Sequence, residues 1–130
     1  MFAGEVDLKT WYKPNIDKKT LKELSKRSDL KGLIDITLFI VALILSGYLC
    51  IISWGTLWSI PALLLYGNIF YCKIISIQHE TNHETYFKRR SLNKLFYHIT
   101  SLLGGFEAVR WKWSHFHHHT YTIFTHEEVY

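Results

Sequence analysis

Lysine and arginine are absent from residues 32–72, and that stretch holds a single acid, Asp35. Nearly all the charge lies on either side of it. A mean hydropathy of +0.03 for the whole chain therefore hides a membrane protein. Cysteine is scarce as well, with only Cys50 and Cys72, both in apolar segments. If those segments span, the two thiols lie toward opposite faces. A disulfide needs Cα atoms within about 7 Å, so both read as free packing residues. No internal repeat, low-complexity run or signal-peptide pattern is present. The first 31 residues are polar, with eight Lys/Arg and no apolar core. The net charge of +4 does not indicate nucleic-acid binding, because the basic residues flank apolar spans.

What is present is organised by the apolar runs. Residues 1–31 form a cytosolic-type lead with a turn at Pro14 and Asn15. From Asp17 to Arg27 the pattern is helical, with Asp17 or Thr20 as N-cap and an apolar edge of Leu21 and Leu24. Residues 33–53 predict a first transmembrane helix. About 21 residues rising about 1.5 Å each match a hydrocarbon core of roughly 30 Å. Trp54 and Trp58 bracket a turn at Gly55, as interfacial aromatics do. Residues 59–77 predict a second span, with Pro61 in its first turn. Lys73 is expected to snorkel to the nearer face, and Asn68 to face another helix. Residues 91–106 place Leu92, Leu95, Phe96, Ile99, Leu102 and Leu103 at helical spacing but are too short to span. They predict an interfacial amphipathic helix ended by Gly104-Gly105.

Eight Lys/Arg precede the first span, none lies in the turn between spans, and six follow the second. The positive-inside rule puts both basic segments on the cytoplasmic side. The fold class expected is thus all-α: an integral membrane protein with two transmembrane helices, an interfacial helix and cytosolic helix extensions.

Those extensions, residues 79–122, carry histidines in two boxes. His79 and His83 form H-E-T-N-H; His115, His118 and His119 form H-F-H-H-H. On a helix, positions i, i+3 and i+4 share a face, so each set projects together. Neutral imidazole is a common ligand for iron, zinc, copper and nickel. An all-nitrogen set with no cysteine argues against iron–sulfur and structural zinc-finger sites. Five ligands exceed one tetrahedral zinc, which argues for two metals. His117 lies on another face; His98 reads as a packing or headgroup residue and His126 as solvent-facing. Glu80 and Glu84 are candidates to accept hydrogen bonds from ligand imidazoles, although for Glu84 an exposed carboxylate is preferred.

Residues 79–93, H-E-T-N-H-E-T-Y-F-K-R-R-S-L-N, resemble the first box of membrane fatty acid desaturases. Residues 110–122, R-W-K-W-S-H-F-H-H-H-T-Y-T, are similar to the second box, where W-S-H-x-x-H-H-x-x-T recurs. The lead L-K-E-L-S-K-R-S-D-L-K-G-L is also similar, so the resemblance covers about residues 21–125. It implies two non-haem iron ions ligated by His79, His83, His115, His118 and His119, with O2 as co-substrate. It implies a fatty acyl substrate within the membrane lipids and electrons from a separate donor of cytochrome b5 or ferredoxin type. Two departures stand out. Glu84 occupies a position where the family often has Gly. A third box, H/Q-x-x-H-H after two further spans, does not occur before Tyr130. Five histidines do not supply the eight or more ligands of the family site. The expectation is a partial desaturase domain over residues 1–130, as a fragment, truncated product or degraded reading frame that is inactive alone.

Two other readings compete. A membrane di-iron hydroxylase of alkanes, sterols or carotenoids would carry the same boxes. A non-enzymatic metal-binding or transport protein would place its ligands near the bilayer midplane, whereas these lie beyond the spans.

Overall fold

The computed structural model describes residues 15–121. Pro14 and His126, for which a turn and a solvent-facing role are expected, lie outside the described residues. Five helices follow in order: α1 (Lys18–Leu24), α2 (Asp29–Ile52), α3 (Ser59–Asn82), α4 (Arg90–Leu103) and α5 (Ala108–Tyr121). No strand occurs among the described residues.

Each helix boundary has a local cause. Asp17 caps α1, its Oδ1 accepting from the Lys19 and Thr20 amides at 3.0 and 2.9 Å. The helix ends at Leu24, three residues short of the expected Arg27, and buries nothing. Ser28 caps α2, its Oγ accepting from the Lys31 amide at 3.4 Å. Gly55, at φ 80°, turns the chain between α2 and α3. At the end of α4 the Gly105 and Phe106 amides bond back to Leu102 and Ser101, with Gly105 at φ 73°. That pairing is a Schellman ending, for which glycine is the natural residue.

The stretch ending at Ile52 and the helix Ser59–Asn82 are each long and apolar enough to cross a membrane. At 24 residues apiece, α2 and α3 exceed the expected spans. Five residues of extra length carry α3 past Ile77 to Asn82, and so deliver the first histidine box.

The core sits at that end of the helix pair. Ile36, Ile77 and the fully buried Phe87 form its centre, with Phe39, Tyr86, Leu92 and Phe96 against it. Away from this end the side chains of α2 and α3 stand largely exposed, Ile51 and Leu64 among them. Both cysteines are free.

Helix α4 packs against α3 with its polar side. Asn93, Tyr97, Thr100 and Ser101 are buried, while Leu95, Ile99, Leu102 and Leu103 are exposed. An outward apolar face is the reverse of a water-soluble helix and suits one lying in a membrane interface.

Candidate metal centre

Helix α3 presents His79 in its last turn and His83 as its C-cap. It stops there in a Schellman ending: the Glu84 amide bonds to Thr81 O at 3.1 Å and the Thr85 amide to Glu80 O at 3.0 Å. The left-handed position falls on Glu84, at φ 56°. That conformation is one glycine adopts without steric cost. Contrary to a role on an imidazole, the Glu84 carboxylate engages Arg90 at 3.1 Å.

The segment after the box is held from several sides. Asn93 is fully buried and clamps Phe87: its Oδ1 accepts from the Phe87 amide at 3.0 Å and its Nδ2 donates to Phe87 O at 2.9 Å. Arg27 donates to Glu84 O at 2.7 Å. Asp29 accepts from the Arg89 amide and from Arg89 Nε, both at 2.9 Å. Lys73 does not snorkel alone; it pairs with Asp35 at 2.6 Å, and Asp35 also accepts from Tyr86 Oη. Asn68 is exposed, its Oδ1 taking the Cys72 thiol at 3.1 Å.

Helix α5 brings up the second box. Glu107 caps it through the Val109 and Arg110 amides, and Tyr97 Oη donates to Ala108 O. Trp111 anchors it, its ring 6.5 Å from Tyr97 and 6.2 Å from Phe106. The same indole stacks on His115, with centroids 4.5 Å apart and planes at 12°. Neither Trp111 nor Asn93 was singled out from sequence, although both lie inside the two motif segments. For Trp111 the available signal was its spacing, one helical turn before His115.

The two boxes meet. The ligand atoms of His79, His83, His115 and His119 all lie within 4.8 Å of one another. His83 Nε2 is 2.9 Å and His119 Nε2 3.0 Å from His115 Nε2. Nitrogens bound to one cation at about 2.0–2.1 Å stand about 3 Å apart when at right angles, so the nitrogens of His83 and His119 each stand from that of His115 at a separation that suits a shared metal ion. His118 is outside the quartet, its ring 6.2 Å from that of His115 and 5.8 Å from that of His119. His117 and His98 are not among the four either.

Two members of the quartet, His83 and His115, favour neutral imidazole. Burial, then the neighbouring rings of His79, His119, His83 and His118, pushes His115 down to about 4. Burial, followed by His79 and His119, lowers His83 as well. Metal ligation requires the deprotonated ring, and crowding keeps these two in that state at neutral pH.

A sequence model of the fatty acid desaturase family matches residues 57–129. The chain belongs to the fatty acid desaturase family. The match takes in α3, α4, α5 and both histidine boxes; the lead and α2 lie outside it. No curated protein and no solved structure matches the chain.

Proposed function

We propose that this chain serves oxygen-dependent desaturation of fatty acyl chains at a membrane di-iron centre. The observation that carries the reading is the convergence of two sequence-distant boxes into one cluster of four imidazoles at the end of an apolar helix pair. His79, His83, His115 and His119 would hold iron together, with His118 as the fifth box ligand. Bound iron supplies the activation of O2 that hydrogen removal requires. The chain's own contribution is positioning: imidazoles held together by α3 and α5, with Trp111 covering one side of His115.

The boxes are proposed to lie on the cytoplasmic side, because the basic segments before α2 and after α3 belong there. An acyl substrate would come from the surrounding lipid, and electrons from a separate cytochrome b5 or ferredoxin-type protein. Transport of metal across the membrane is disfavoured, since the quartet sits past the apolar part of α3 rather than midway along it. Residues 1–130 are read as part of a desaturase domain.

The test is iron per chain in protein purified from membranes, together with the fatty acid profile of the expressing cells. Bound iron that is lost in His83→Ala and His115→Ala supports the reading. A wild-type chain that retains no iron overturns it.

A further inference from the structure

Asp35 is the one carboxylate in residues 32–72, and an ionised group in a span is costly unless it is paired there. Neutralising Lys73 does not account for all its bonds. Asp35 Oδ1 takes Lys73 Nζ at 2.8 Å, while Oδ2 takes both Lys73 Nζ and the hydroxyl of Tyr86, 51 residues away. Tyr86 follows His83 by three residues, and nothing between them is slack. The Glu84 and Thr85 amides close the helix end, and Arg27 holds the Glu84 carbonyl. Immediately beyond, Phe87 is wedged against Gly32 and clamped by Asn93. Burial and Asp35 both raise the Tyr86 phenol, which therefore keeps its proton and remains the donor.

We propose that Asp35 and Tyr86 are positioning residues for the metal centre. Their hydrogen bond ties the exit of the first histidine box to the first membrane helix and so fixes where His83 meets His115. This inference rests on the metal-binding reading. Groups hydrogen-bonded directly to a ligand change metal affinity by roughly 10–100-fold, and a bond three residues from the ligand is expected to act at the low end of that range.

The experiment uses the full chain in detergent with Co2+ as the probe, whose ligand-field absorption reports the ligand set. Tyr86→Phe removes only the hydroxyl; Asp35→Asn removes the charge. Each variant is expected to keep its helix content by circular dichroism and to bind Co2+ roughly 10-fold more weakly with an altered spectrum. The double variant is expected to lose no more than the worse single variant, because both act through one bond. Unchanged affinity, or losses that add, overturns the proposal. Amide exchange across residues 84–87 in the metal-free chain gives a second arm. It is expected to quicken in Tyr86→Phe, and unchanged exchange overturns the positioning role whether or not metal binds. Absence of a wild-type Co2+ spectrum counts instead against the metal reading itself.

Discussion

Trp111 lies flat on His115, ring centroids 4.5 Å apart and planes only 12° from parallel. The indole thus joins a candidate ligand to the packing of α4, through Tyr97 and Phe106. Aromatic pairing contributes roughly 0.5–1.5 kcal/mol beyond area burial. Trp111→Leu is therefore expected to destabilise the metal-free chain by about 1 kcal/mol and to loosen α5 first. Thermal unfolding followed by circular dichroism, with amide exchange over α5, checks both. Unchanged exchange in α5 would mean that the stacking does not anchor the helix.

Gly32 sets how closely the loop after the first box approaches α2. A Cβ there would stand 2.6 Å from Phe87 Cε1 and 3.2 Å from Tyr86 O. Phe87 is fully buried and has no room to swing. Overpacking of this kind costs about 1–3 kcal/mol, against about 1 kcal/mol that alanine gains over glycine in a helix. Gly32→Ala is expected to lower the unfolding midpoint. Gly67→Ala, where nothing lies within 4 Å of the added carbon, is expected to leave it level or raise it. Equal midpoints for the two variants would contradict the close approach.

Glu84 carries a conformational strain that a different residue would relieve. Its φ of 56° lies where non-glycine residues are disfavoured by roughly 1–2 kcal/mol. Glu84→Gly relieves that, keeps the carbonyl that Arg27 grips, and loses an ion pair to Arg90. Arg90 is 81% exposed, and such pairs contribute only about 0–1 kcal/mol. The variant is expected to be more stable than wild type, while Glu84→Val is expected to be less stable. Chemical denaturation of both variants decides the sign.

Helices and box spacing were legible from local pattern. The apolar runs, Gly55, Gly104-Gly105 and the i, i+4 histidines each act within a few residues of themselves. Contacts between distant segments were not. Asn93 reads as an ordinary polar helix residue until the loop at Phe87 is seen to need both its donor and its acceptor. The polar side of α4 faces buried Gln78 of α3, whose Nε2 donates to Ser101 Oγ at 3.5 Å. Periodicity located the apolar arc of α4 but said nothing about which arc α3 would cover. The family match likewise begins at residue 57. The grip on the first box by Arg27, just before α2, and by Asp29, Gly32 and Asp35 of α2 thus emerges only from the fold.

Crowded imidazoles make the metal-free chain acid-sensitive. His115 has its folded value near 4, below the ordinary 6.5, and His83 is shifted the same way. Above about 6.5 these rings are neutral whether folded or unfolded, and the stability is fully present. As pH falls below that, the unfolded chain takes up protons that the folded chain resists. Stability is lost progressively until His115 itself is protonated near 4. Unfolding midpoints measured in chelator from pH 7 to pH 4 are expected to fall, and His115→Gln is expected to flatten the curve. A wild-type midpoint that stays level through this window would show that the rings are not crowded in solution.

His118 and His119 are adjacent in sequence but not equivalent in place. His119 shares a face with His115 one turn away and brings its Nε2 within 3.0 Å of the His115 Nε2. His118 stacks loosely on the His115 ring and is not among the four gathered ligand atoms. A first cation should therefore depend on His119 and not on His118. Titration with Zn2+ at one equivalent per chain is expected to show a large loss of affinity in His119→Ala and little change in His118→Ala. At higher occupancy the order changes if His118 is the fifth ligand: His118→Ala then lowers the number of ions bound while leaving the tightest one in place. Equal losses in the two variants at one equivalent would place His118 in the first coordination set and require α5 to rotate on binding.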